Sequence, residues 1–200
     1  DHVGNVVDGD QLIALFALGL ASRDELDPRG VVVTVMSNAG FHSAMADAGI
    51  VVHTTPVGDR HVLAAMESTK CVIGGEQSGH IILRRHATTG DGLLAGVVLV
   101  DLVKRNGVPL ERLAVEAMIP LPQHLINVKV AAIVDDVARV CADDVQHAEL
   151  ALAGVGRVLL RASGTEPLIR VMVEAATDDD ARRIASDLAD AVAKRLGGSR

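Results

Sequence analysis

Aromatic side chains are almost missing. The 200 residues hold two phenylalanines, Phe16 and Phe41, and neither tryptophan nor tyrosine. That excludes recognition by an aromatic stacking platform for single-stranded nucleic acid or by an aromatic cage. Any core must be assembled from Val, Leu, Ile, Ala and Met. Basic residues are in deficit, 19 Lys and Arg against 26 Asp and Glu, for a formal net charge of −7. A broad phosphate-backbone footprint is therefore not expected, although one small anion held locally is compatible with that balance. Cysteine is scarce and unpatterned. Cys71 and Cys141 lie in unrelated segments with no CxxC spacing, and read as buried thiols of a reducing cytoplasm. The eight histidines are scattered and form no HExxH pair, so a zinc site is not expected. No apolar run approaches the roughly 20 residues of a bilayer span, and the opening D-H-V-G-N-V-V-D-G-D lacks a signal-peptide pattern. The expectation is a cytoplasmic protein with no nucleic-acid or membrane partner. The absence of an initiator Met suggests a piece of a longer chain.

What is present is an alternation of strands and helices. Asp1 to Val7 reads as the end of a hairpin, with Gly4-Asn5 as the turn signal. Helix is predicted over 10–23, 38–48, 59–68, 91–105 and 109–117. Strands are predicted over the β-branched run 31–35 and over 50–54, 71–73 and 80–83, with Gly74-Gly75 stopping the third. This is α/β, a sheet covered by helices on both faces. Ile119-Pro120-Leu121-Pro122 then interrupts the pattern, because proline resists helix and stiffens the chain. Beyond it come a strand over 125–130, a helix with Ile133, Val137, Val140 and Cys141 on one face, strands over 157–162 and 168–174, and a last helix opened by Thr177 and Asp180. The expected organisation is a tail over 1–7, an α/β domain over 8–118, a hinge over 119–123, and a small α+β domain with an antiparallel sheet over 124–200.

Five segments could carry chemistry. In R-A-S-G-T-E-P-L-I-R, Arg161 to Arg170, a Ser-Gly-Thr turn offers backbone N–H groups and hydroxyls between two guanidinium groups, which suits an anion; it equally reads as a plain hairpin turn. In G-G-E-Q-S-G-H, three glycines within six residues permit close backbone approach to a ligand. There Glu76, Gln77, Ser78 and His80 offer the mixed donors and acceptors that sugar hydroxyls need, or the segment simply links two strands. T-P-V-G-D-R follows a strand, where α/β ligands collect; Arg60 is its better candidate, since Asp59 also reads as a helix cap. T-T-G-D-G at 88–92 reads mainly as a cap. Asp8-Gly9-Asp10 reads as a turn and cap rather than a metal site, for want of a third local ligand.

Together, G-G-E-Q-S-G-H, T-T-G-D-G and, some 70 residues on, R-A-S-G-T-E-P-L-I-R-V resemble the α-D-phosphohexomutase superfamily. V-M-S-N and T-P-V-G-D-R fit the same pattern, and the Gln of G-E-Q-S-G-H is similar to the glucosamine branch rather than the mannose or glucose branches. The resemblance covers essentially the whole chain and implies the third and fourth of four domains. It implies interconversion of glucosamine-6-phosphate and glucosamine-1-phosphate through glucosamine-1,6-bisphosphate. Glu76 and Ser78 would hold sugar hydroxyls, with His80 shaping their loop and Asp59 and Arg60 near the reacting face. Arg161, Ser163, Gly164, Thr165 and Arg170 would clamp the substrate phosphate. The family's phosphoserine and its magnesium-holding D-G-D-A-D-R loop have no counterpart in these residues. No catalytic nucleophile and no metal ligand are therefore assigned here, and no mutase activity is expected of these 200 residues alone. The implied partners are a phosphosugar and the N-terminal half of the same enzyme, with a second copy as a candidate. The alternatives are a related mutase acting on mannose or glucose phosphates and a non-catalytic phosphosugar-binding module.

Overall fold

The computed structural model describes residues 1–132, 134, 136–163 and 166–199. They divide into two compact units, Asp1–Pro120 and Leu121–Arg200. The first unit runs α1 (Gly9–Ala21), β1 (Gly30–Thr34), α2 (Ala39–Asp47), β2 (Val51–Thr55), α3 (Asp59–Thr69), β3 (Ile73–Gly75), β4 (Ile81–Leu83), α4 (Gly92–Asn106) and α5 (Leu110–Ala117). Its sheet has the order β2-β1-β3-β4, parallel except for β4. Successive side chains of a strand face opposite ways, and here both faces are buried. Val31 and Val33 belong to the core built on Ile13, Phe16, Phe41 and Leu113. Val32 joins a smaller core with Val62, Met66 and Ile82. That two-sided burial is why β1 reads as an unbroken β-branched run.

Helix ends follow local chemistry. The Asp8 carboxylate accepts the Gln11 N–H at 2.9 Å, and the Gln11 side chain accepts the Asp8 N–H at 3.3 Å, a reciprocal capping box. Asn38 caps α2 through Gly40 N–H, and Asp91 caps α4 through Leu94 N–H.

The second unit runs β5 (Gln123–Lys129), α6 (Val137–Val140), α7 (Ala142–Ala151), β6 (Gly156–Ala162), β7 (Leu168–Ala175) and α8 (Asp178–Leu196). Its antiparallel sheet has the order β5-β7-β6. Ile169, Val171 and Val173 of β7 pack with Ile184, Leu188 and Val192 of α8. The Thr177 hydroxyl caps α8 by accepting Asp180 N–H at 3.1 Å, and Gly197 ends it at φ 63°.

Three local expectations change. Residues 1–7 form a turn closed by Gly4 N–H on Asp1 O at 3.2 Å, not a hairpin strand. Gly74 and Gly75 do not stop β3; they lie inside it. A Cβ at Gly74 would sit 2.8 Å from the Met66 sulfur and 2.9 Å from Val32 O, so glycine is what lets β3 approach β1 and α3. The helix expected around Ile133 to Cys141 is only α6. Ile133 lies outside the described residues, Val137 and Cys141 are buried, and Val140 is 39% exposed; Cys141 breaks the helix before α7.

Gly74→Ala should destabilise the protein by about 1–3 kcal/mol through overpacking. Gly96→Ala, in the interior of α4 with open space around it, should instead stabilise by about 0.5–1 kcal/mol. Urea unfolding of both variants checks the pair. A second expectation concerns acid. The Asp178 carboxyl lies below its ordinary value because His124 and then Arg182 hydrogen-bond to it; the His124 contact is 2.8 Å. Its contribution to stability is therefore present above about pH 4, the unfolded carboxylate value, and is lost as pH falls through the depressed folded value. The stability gap between the unaltered chain and His124→Ala should close over that acid window in a pH series of unfolding curves.

Candidate functional site

In an α/β sheet the polar work gathers beyond the carboxyl ends of the strands. In the first unit, β1, β2 and β3 are parallel and end at the same side, followed by segments 35–38, 56–58 and 76–79. The buried polar residues Asp10, Thr34, Ser37, Asn38 and Thr55 all lie at this end. The Asp10 carboxylate is fully buried and accepts the Asn38 N–H at 2.8 Å, tying the start of α1 to the loop after β1. Gly9 N–H donates to Gln77 O at 3.0 Å. A Cβ on Gly9 would stand 2.4 Å from Glu76 O, so α1 begins directly against the loop after β3.

That loop is held by its own backbone. Glu76 N–H donates to His80 O at 3.1 Å, and Gly79 N–H donates to Glu76 O at 2.9 Å, with Gly79 at φ 93°. Glu76 and Gln77 are half-buried and Ser78 is exposed. The His80 ring is met from two sides. A Cβ at Gly90 would lie 2.5 Å from it, so the 88–92 segment passes directly against the imidazole. Its Nε2 is 3.8 Å from the Asp59 carboxylate, too far for a hydrogen bond. The structure thus brings Asp59, His80 and the Glu76–Gly79 turn into one neighbourhood. Asp59 is not the cap of α3. Gly58 holds that place at φ 125° without a side-chain bond, and one Asp59 oxygen accepts the next N–H, that of Arg60, at 2.7 Å. The Arg60 side chain is exposed, with Nε 3.4 Å from His61 Nε2.

In the second unit, Arg161 of β6 and Arg170 of β7 are direct cross-strand partners, and Asn127 of β5 stands opposite Arg170 on its other side. The three share the sheet face turned away from α8, because their neighbours Ile169, Val171 and Leu160 fill the helix-facing core. Like charges placed directly opposite repel. Burial, and then Arg170, push the Arg161 guanidinium below its ordinary value. The Arg161 Nε is buried with no hydrogen-bond partner among the described residues. Ser163 is buried, and its N–H donates to Leu168 O at 2.8 Å, closing the turn. Gly164 and Thr165 lie outside the described residues.

The sequence reading missed a pair on the same sheet face. Arg157 and Glu174 are cross-strand partners joined by two hydrogen bonds, Nε to Oε2 at 2.9 Å and Nη2 to Oε1 at 3.0 Å, with Glu174 fully buried. The signal available was an acid closing the apolar stretch V-M-V-E-A, since a buried carboxylate calls for a cationic partner. Asn127 and the tie from Asp10 to Asn38 were also missed; both arise from register and tertiary contact.

A metal does not fit Asp8-Gly9-Asp10. Asp8 spends its carboxylate on the α1 cap and Asp10 is turned inward onto Asn38 N–H. No group of three or more His, Cys, Asp or Glu able to hold a metal occurs among the described residues.

Two family models match in chain order. Residues 8–120 match phosphoglucomutase/phosphomannomutase, alpha/beta/alpha domain III, and residues 125–191 match the C-terminal domain of the same family. The chain belongs to the phosphoglucomutase/phosphomannomutase family. Among its relatives, phosphoglucosamine mutase of Parafrankia sp. is 56% identical over 98% of this chain and 42% of its own length. Phosphoglucosamine mutase of Thermobifida fusca is 52% identical over 96% and 43%. The chain therefore spans well under half the length of these relatives. Of solved structures, N-acetylphosphoglucosamine mutase of Aspergillus fumigatus matches at TM-score 0.77 and 20% identity, over 96% of this chain and 44% of that one. That likeness shows a shared fold: a mixed α/β unit followed by an α+β unit with an antiparallel sheet.

Arg157→Ala would leave the Glu174 carboxylate buried without its guanidinium. A loss of about 3–5 kcal/mol is expected, read by thermal or urea unfolding. Glu174→Gln, which removes the charge and keeps the shape, should lose less.

Proposed function

We propose that this chain is the sugar- and phosphate-recognising part of a phosphoglucosamine mutase, an isomerase that interconverts glucosamine-6-phosphate and glucosamine-1-phosphate through glucosamine-1,6-bisphosphate. The observation that carries the reading is the Arg161–Arg170 cross-strand pair, in which the Arg161 Nε is buried with no hydrogen-bond partner among the described residues. Two facing guanidinium groups gain most from a dianion placed between them, and arginine holds phosphate by paired N–H donors. Ser163 belongs to the same turn; Gly164 and Thr165 join it on the family resemblance. Glu76 and Ser78 take sugar hydroxyls, His80 packs behind their loop, and Asp59 and Arg60 border it. In support, the relatives carry the name phosphoglucosamine mutase at about half identity across the chain. A fold neighbour is described in complex with GlcNAc-6P and magnesium, and another with a glucose 1,6-bisphosphate.

In this reaction the free hydroxyl of the sugar monophosphate gains a phosphoryl group. The bisphosphate so formed then gives up the other one. Little covalent chemistry falls to the binding residues; their work is positioning and charge neutralisation. The arginine pair holds whichever phosphate is not reacting, and the loop after β3 holds the sugar in either orientation. Magnesium, bound upstream as the family resemblance implies, would supply further charge neutralisation at the transferring group. Positions 119–123 serve as the joint between the two binding duties. We assign the activity to the cytoplasm.

The full-length protein should convert glucosamine-6-phosphate to glucosamine-1-phosphate with magnesium and the 1,6-bisphosphate. In it, Arg170→Ala and Ser163→Ala should each lower kcat/KM by about a hundredfold, the scale of one lost charge-stabilising donor. The 200-residue chain alone should bind glucosamine-6-phosphate, measured calorimetrically, without turning it over. Turnover by the chain alone, or indifference of the full-length enzyme to both substitutions, would refute the assignment.

A further inference from the structure

We infer that Asp59 is the residue that reads the amino group of the sugar. The inference rests on the phosphoglucosamine mutase reading and deepens it. A glucosamine phosphate differs from the matching glucose phosphate at one position, where an ammonium group replaces a hydroxyl. Hydroxyls are satisfied by neutral donors and acceptors, so preference for the amine requires an anion held at the right place.

Five carboxylates stand at the carboxyl end of the first unit's sheet. Three are spent on helix caps or on tying loops together: Asp8 on Gln11 N–H and Asp91 on Leu94 N–H as caps, and the buried Asp10 on Asn38 N–H of the loop after β1. Asp59 and Glu76 remain. The Asp59 side chain is short, and one of its oxygens is pinned by the Arg60 N–H at 2.7 Å, which fixes the direction of the other. That second oxygen faces the His80 ring at 3.8 Å, outside hydrogen-bond range, and the side chain is 65% exposed. It is therefore oriented toward the sugar-binding loop and open to a new donor. Placement in the first turn of α3 also favours a negative charge there. The Glu76 side chain has an additional torsion and no such tether, although its backbone is fixed by the turn. Preorganisation thus separates the two acids: a pre-aimed carboxylate discriminates a point charge, while a mobile one adapts to hydroxyls.

The test measures dissociation constants of glucosamine-6-phosphate and glucose-6-phosphate by calorimetry near neutral pH. It compares the unaltered full-length enzyme, Asp59→Asn and Glu76→Gln. The unaltered enzyme should prefer the amino sugar. In Asp59→Asn that preference should fall tenfold or more, with the larger loss on glucosamine-6-phosphate. In Glu76→Gln both sugars should weaken together and the ratio should hold. Raising the pH until the sugar amine is neutral should remove the preference from the unaltered enzyme and leave Asp59→Asn unmoved. Equal weakening of both sugars in Asp59→Asn, or a collapse of preference in Glu76→Gln instead, would overturn the assignment while leaving the mutase reading intact. An unaltered enzyme that binds both sugars equally would overturn it as well. Failure to bind either phosphosugar would overturn the mutase reading and this inference with it.

Discussion

Two guanidinium groups facing each other across adjacent strands are the constraint around which the second unit is organised. Left alone, the pair would push its strands apart or slide them out of register. What prevents this is the other face of the same sheet. Ile169, Val171 and Val173 alternate with Arg170, Met172 and Glu174, and the first set is locked under α8. A slip by one residue would send Arg170 into that core and bring Ile169 to the opposite face, at a cost far above the repulsion it relieved. The Arg157–Glu174 pair, its carboxylate buried and its guanidinium half-buried, fixes the far end of the same two strands. The hydrophobic face thus holds the charged face in a geometry it would not choose, and the polar turn at Ser163 inherits that fixed frame.

The first unit solves a different problem by different means. The loops at the carboxyl end of its sheet take their placement from the strands. Parallel strands deliver three loops to one end, and the remaining freedom is removed by backbone contacts: Gly9 on the loop after β3, Asp10 on the loop after β1, and Gly90 against His80. In each case the partner comes within van der Waals or hydrogen-bond distance of a backbone atom or a flat ring. Glycine is required at two of the three because any Cβ would occupy the space. Polar groups buried here are tolerated because they are spent on tying loops together.

Much of this was legible in the sequence, for identifiable reasons. The β-branched run 31–35 announced a two-faced strand, and Thr177 with Asp180 announced the start of α8, because both signals are local and energetically unambiguous. The two glycine-bearing loops were found because their composition is unusual. The errors occurred where local propensity met tertiary packing. Gly74-Gly75 looks like a strand terminator by propensity and is a strand because Met66 and the β1 backbone need the room. Asp59 looks like a helix cap by type, yet Gly58 takes the cap and leaves the carboxylate directed elsewhere. Val140 has the spacing of a buried residue, but the helix breaks at Cys141 before that spacing can be used. The Arg157–Glu174 pair could not be paired from sequence, because strand register decides which cation meets the acid.

Net charge proved the least informative number. A chain at −7 repels anions in the far field. That field is screened over about 8–10 Å at physiological ionic strength, so only charges close to the ligand decide binding. At the turn between β6 and β7 two arginines, Arg161 and Arg170, flank an exposed Glu166, and partial burial of Arg161 weakens screening further. In the first unit the signs are reversed: Asp59 keeps one carboxylate oxygen open beside the loop after β3, and Glu76 stands in that loop. Each sheet thus fixes a few charged side chains where local sequence alone would not put them.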